Sequence, residues 1–119
     1  MTEESILESI KGMIPMSKDV TEYDQMIIIA INTAFFNMYQ MGIGPSEKSF
    51  SIKGKDETWD KFMVVPYIDS VKTYVSTITR IHFDPPQSSL LLETLKELAK
   101  EQEFRLMIES QNEEGGNRS

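Results

Sequence analysis

Residues 21–42 read TEYDQMIIIAINTAFFNMYQMG, and this stretch decides the fold. Tyr23, Met26, Ile27, Ala30, Ile31, Ala34, Phe35, Met38 and Met41 recur at three- and four-residue spacing, the period of a helix face. The isoleucines between Ile27 and Ile31 make a strand conceivable. The length of the run and its 3.6-residue phase favour a helix. Thr21 is the expected N-cap, with Glu22 and Asp24 in the first turn. Gly42 supplies a left-handed stop, and Gly44-Pro45 prevents continuation. Ile28, Ile29, Phe36 and Tyr39 widen the apolar stripe well beyond one face. A helix this apolar is either central in its domain or covered on a second side by another chain.

Toward the N-terminus, Ile6, Leu7, Ile10, Met13 and Ile14 define a shorter amphipathic helix over residues 3–14. Glu3, Glu4 and Glu8 lie near its positive end, and Pro15 closes it. A polar link, Met16 to Val20, follows. On the other side, Phe50 and Ile52 alternate with Ser and Lys, and Gly54 marks a turn. Residues 46–59 therefore predict an ordered loop or short hairpin. Trp59, Phe62 and Met63 then form an apolar knot on a single helical turn capped by Thr58. Pro66 opens the next helix, whose stripe is Ile68, Val71, Tyr74, Val75, Ile78 and Ile81. Asp84-Pro85-Pro86-Gln87 breaks it and starts the last helix, with Asp84 as cap. That helix runs from about Pro86 to Ile108 or slightly beyond, through Leu91, Leu92, Leu95, Leu98, Ala99, Phe104, Met107 and Ile108. The tail 110–119 has no apolar residue and reads as disordered. The expected fold is all-α: one domain over residues 1–109, about four helices with a central excursion.

The chain has 119 residues, which fits one domain and one core. Nineteen acidic against twelve basic residues leave a formal charge of −7. That balance argues against a basic surface that wraps nucleic acid or docks on an anionic membrane. With no cysteine there are no disulfides, thiolate metal sites or cysteine nucleophiles. The longest apolar run, Met26 to Ile31, is far short of the ~20 residues that span a bilayer. No positive region precedes an apolar stretch as in a secretory signal, so synthesis and folding in the cytoplasm are expected.

Chemistry finds no foothold. The single histidine, His82, lies beside Phe83 and Asp84 at a helix end, where packing or capping is the ordinary use. No H-x-x-x-H or E-x-x-H spacing offers metal ligands around it. Gly42-Ile43-Gly44-Pro45 follows a helix rather than a strand and lacks the third glycine of a dinucleotide fingerprint. The acidic pairs Glu3-Glu4, Asp56-Glu57 and Glu113-Glu114 read as solubilising. No catalytic, cofactor or metal residue is assigned, and an enzyme is not expected.

Charge is uneven along the chain. Six acids and two bases occupy residues 1–24, whereas residues 42–84 hold six of each. A head-to-tail contact between copies, basic loop on acidic neighbour, would use that asymmetry. Long ordered loops in small domains are also disproportionately interaction elements.

Certain residues carry a resemblance. Gly42-Ile43-Gly44-Pro45, Phe50-Ser51-Ile52, Thr58-Trp59, Val71-Lys72-Thr73-Tyr74-Val75, Phe83-Asp84-Pro85-Pro86 with Ser88-Ser89, and Glu103-Phe104-Arg105 lie within a match that covers roughly residues 20–108. Together they resemble the head–tail connector (adaptor) proteins of long-tailed phages and prophages of Gram-positive bacteria. Phe83-Asp84-Pro85-Pro86 before a long final helix is the most specific element; Phe104 stands where the pattern expects Trp.

The resemblance implies a structural virion protein of the neck, made and assembled in the host cytoplasm. It implies a homo-oligomeric ring, commonly dodecameric, beneath the portal protein. Such a ring extends the DNA channel without binding DNA specifically and offers a platform to the next neck or tail-completion protein. It implies no cofactor and no membrane. On this reading Lys48, Phe50, Ile52, Lys53, Lys55 and Trp59 are the candidate subunit or lumen contacts. Glu103, Phe104, Arg105, Met107 and Ile108 are the candidate portal-side contacts. An acidic DNA mimic or regulatory binding protein of phage origin is the alternative, but mimics carry a denser acidic face than this last helix. A dimeric helical scaffold fits the composition equally well.

Overall fold

A computed structural model describes residues 4–14, 21–45 and 47–118, with side chains to residue 112. The Pro15 stop, the link Met16 to Val20 and the side chains of the acidic tail lie outside the described residues. The architecture is all-α: α1 (Ile6–Gly12), α2 (Asp24–Gln40), α3 (Trp59–Phe62), α4 (Ile68–Phe83) and α5 (Ser89–Arg118). Four of these are the expected helices, and α3 is the expected single turn.

The middle element is α4. It packs on both α2 and α5, while α1 closes the end of the α2–α4 pair. Val71, Tyr74, Val75 and Ile78 of α4 are buried against Ile27, Ile31, Ala34, Phe35 and Met38 of α2 and against Ala99 and Leu106 of α5. Two threonines are buried in α4, Thr77 and Thr79. Each donates its hydroxyl to the carbonyl four residues back, so neither leaves a polar group unsatisfied.

Helix ends explain where the sequence reading shifts. Gly42 behaves as expected, at φ 83°. Its amide bonds to the Tyr39 carbonyl and the Ile43 amide to the Met38 carbonyl, a Schellman closure that buries Ile43 against Met38. Thr21 is not the N-cap of α2. Its carbonyl accepts from the Asp24 amide in a lead-in turn, and the helix starts three residues later. What stabilises that start is Asp24, which meets the helix dipole and pairs at 2.8 Å with the buried Lys11 of α1. Pro66 likewise lies in the turn before α4 rather than inside it.

Asp84 does not cap α5. It precedes Pro85, which disfavours helical backbone there, so it terminates α4 in a non-helical conformation (φ −139°, ψ 62°). Ser88 takes the capping role, its hydroxyl accepting from the Leu91 amide, and α5 starts at Ser89. At its other end α5 does not stop near Ile108: its helical backbone continues to Arg118 through the polar residues read as a disordered tail. Extending an existing helix adds one hydrogen bond per residue fixed, and Glu and Gln tolerate it well.

Gly44 is required twice over. Its φ is +100°, and a Cβ built on it would lie 2.6 Å from the Phe62 ring. Gly44→Ala is expected to destabilise the fold by about 1–3 kcal/mol, read as a lowered urea midpoint at unchanged slope.

Candidate functional site

The segment between α2 and α3 is an ordered loop. The hairpin alternative is not what forms: among the described residues the backbone pairing is one isolated bridge, Ser5 with Thr58. It joins the loop's end to the start of α1, with the Ile6 amide on the Glu57 carbonyl and the Trp59 amide on the Glu4 carbonyl. Side chains do the work a second strand would do. The Asn32 carboxamide of α2 accepts from the Ile52 amide at 2.8 Å and donates to the Ile52 carbonyl at 3.0 Å. That two-point contact satisfies the backbone at the spot where Ile52 enters the core, 2% exposed.

Aromatic packing holds the rest. Phe35 of α2 meets Phe50 edge-on at 5.1 Å, Phe62 at 4.6 Å and Trp59 at 6.2 Å between centroids. Trp59 is 4% exposed, and its indole N–H donates to the Ser9 hydroxyl, which donates in turn to the Ile6 carbonyl. Lys72 lies over the indole at 5.7 Å while pairing with Glu4.

Glu57, read as half of a solubilising pair, closes the loop's inner turn. Its carboxylate accepts from the amides of Lys53 and Gly54. Partial burial pulls its pKa upward. The amides of Lys53, of Glu57 itself and of Gly54, with the Lys61 charge, outweigh that and hold it below the ordinary 4.5.

These contacts divide the candidate residues. Ile52 and Trp59 are core, and Phe50 is half-buried against it; they fasten the loop. Lys48, Lys53 and Lys55 are exposed and form its outward charge. In α5 the division is similar. Glu103 faces inward and accepts a 2.7 Å hydrogen bond from the Tyr74 hydroxyl, which itself accepts from the Asn37 amide at 3.2 Å. Burial first, then the Glu103 carboxylate, drives the Tyr74 phenol well above its usual pKa. Phe104, Arg105, Met107 and Ile108 are exposed, Arg105 reaching back to Glu101 at 3.8 Å.

Sequence reading missed the roles of Asn32 and Asn37. Two asparagines inside an apolar helix were the available signal, since such residues are poor helix formers unless their amides have partners. His82 is exposed. With Phe83 it borders a groove of about 280 Å³ whose other wall is Met26, Ile29, Ala30 and Thr33 of α2. Among the described residues no three His, Asp or Glu converge as metal ligands, and no helix is long and apolar enough to cross a membrane.

The phage connector protein family model matches residues 6–113, from the first helix through most of the last. The chain belongs to the phage connector protein family. No curated protein and no solved structure matches it. The connector family is structural rather than enzymatic, with a place in the virion neck and other phage structural proteins, such as portal and tail, as partners.

Two outcomes test the loop of this connector. Trp59→Ala should cost about 3–5 kcal/mol in chemical denaturation, the value for a core aromatic; an unchanged midpoint would make the indole dispensable to the monomer. The Glu57 contribution is complete above pH 4.5 and is lost as pH falls through the lowered folded value. Amide protection of Lys53 and Gly54 should therefore decline in acid, and Glu57→Gln should remove that pH dependence.

Proposed function

We propose that the chain is a ring-forming head–tail connector subunit, assembled beneath the portal and dodecameric in the virion. The ring extends the DNA channel and presents a docking platform to the next neck or tail-completion protein. The observation that carries this reading is the two-sidedness of α2. Its inner face completes the monomer core, while Met26, Ile29 and Phe36 stay exposed on the outer face. A connector family member with a second apolar face on its central helix has the makings of a subunit finished by its neighbours.

The charge supports the same role. A formal −7 per chain multiplies around a ring, and acids at a lumen repel phosphates where cations would bind them and release counterions. DNA then passes without being held. The projecting lysines Lys48, Lys53 and Lys55 suit contact with an acidic neighbouring surface. The far end of α5 is the portal-side element: Glu109 and Asn112 flank a hollow with Pro66 and Tyr67, so α5 reaches the start of α4 and continues beyond Asn112. Assembly takes place in the host cytoplasm, and no cofactor is required.

Electron microscopy of the purified chain, alone and mixed with portal, tests the proposal. Closed rings stacked on portal are expected. Monomers under both conditions would overturn it, and a stable 1:1 complex with a DNA-binding enzyme instead would favour charge mimicry. Lys48→Glu/Lys53→Glu/Lys55→Glu should reduce ring yield at low salt while leaving the monomer's melting nearly unchanged.

A further inference from the structure

The Asn32 carboxamide meets both main-chain groups of one residue, the Ile52 N–H at 2.8 Å and the Ile52 C=O at 3.0 Å. A single amide reaches both only where that residue is extended, as in the hydrogen-bonded pair of an antiparallel sheet. Asn32 thus stands where the peptide of a neighbouring strand would stand. The side chains around Ile52 keep the two-residue period of a strand. Phe50 and Ile52 turn to the core, Ser51 and Lys53 to solvent.

The opposite edge follows from the trans peptide, whose C=O and N–H point to opposite sides. With the Ile52 N–H on Asn32, the Ser51 C=O points away from α2. With the Ile52 C=O on Asn32, the Lys53 N–H also points away, and there it meets the Glu57 carboxylate at 2.9 Å. Glu57 therefore closes one end of this outer edge. The main-chain groups of Ser51, and those of Ser49 before it, make no hydrogen bond among the described residues. Ser51 is exposed, so its groups face water. The loop already accepts one strand-like partner at its far end, where Ser5 bridges Thr58 in antiparallel fashion.

We propose that the outer edge at Ser49 and Ser51 takes an extended, acidic segment of a different polypeptide, paired through its main chain. The main-chain requirement comes from Ser51, whose unmatched donor and acceptor on one side are answered together by one extended residue. The acidic requirement comes from Lys48, Lys53 and Lys55, exposed on the same short loop. Those lysines also argue against a second copy of the edge, because antiparallel pairing of two such loops gathers like charges. The inference rests on the reading of this loop as a contact element and adds the atoms that make the contact.

The test uses the full chain with a short capped peptide of alternating Glu and Thr, and with portal. Ser51→Pro removes the amide and keeps extended backbone, whereas Ser51→Ala retains the amide. The Ser51 amide has no partner inside the subunit, so both variants should melt close to the native chain. Peptide or portal should slow amide exchange at Ser49 and Ser51. Ser51→Pro should weaken peptide binding about tenfold, the worth of one or two lost hydrogen bonds, and Ser51→Ala should not. The same peptide N-methylated throughout should not bind. Equal binding by the N-methylated peptide, or by Ser51→Pro, would reduce the contact to charge and overturn the inference. Fast exchange at Ser51 under both peptide and portal would overturn it too, and protection in the chain alone would make the occupant a second copy. The ring reading is judged apart, by electron microscopy. Closed rings on portal with Ser51 unprotected keep the ring and sink this site, whereas protection without rings keeps the site and sinks the ring.

Discussion

The phenol of Tyr74 is the point on which the three long helices agree. It is fully buried, and a buried hydroxyl without partners costs about 1–3 kcal/mol, so the fold must bring it both a donor and an acceptor. Asn37 of α2 donates to it and Glu103 of α5 accepts from it. Apolar packing alone would let helices slide by a turn at modest cost. A polar chain of fixed length satisfies only one register, because a shift leaves buried groups unpaired. The high pKa of the phenol expresses the same fact, since the geometry is built for the protonated form as donor to Glu103.

Around that register the chain spends its polar residues sparingly and in particular places. Lys11 and Asp24 tie α1 to the first turn of α2 from a nearly buried position. Removing either partner would strand a charge, so the pair fixes orientation more than it adds stability. Asn32 and Glu57 do for the loop what Asn37 and Glu103 do for the helices: they answer backbone or buried donors that regular secondary structure leaves open. The aromatic group of Phe35, Phe50, Trp59 and Phe62 then supplies the area that makes the loop part of the core.

The helices were legible because burial repeats along them. The stripes in residues 23–41 and 68–81 specify two amphipathic faces whatever their caps, and Gly42 can hardly be anything but a stop. Boundaries were harder. Thr21, Asp84 and Pro66 each have the right chemistry for a helix start, but cap choice depends on tertiary neighbours such as Lys11, and on the bias against helical backbone before Pro85. Ile52 and Trp59 were set among the subunit or lumen contacts on the family resemblance, because sequence does not show that Asn32 draws Ile52 inward or that Ser9 accepts from the indole. Glu103 was set among outward residues for the same reason; its partner Tyr74 is 29 positions away. The doubled apolar face of α2 was visible at once. Which half faces inward required α4.

The loop's fastenings sit at Asn32, Phe50, Ile52, Glu57 and Trp59, and none involves the side chains of Lys48, Lys53 or Lys55. The architecture thereby separates what holds the loop from what the loop displays. Substitutions among the three lysines can accumulate, reverse or vanish over generations without drawing on the stability of the domain. A lineage meeting an altered neighbour can rewrite the charge of this projection one codon at a time, each intermediate still folded.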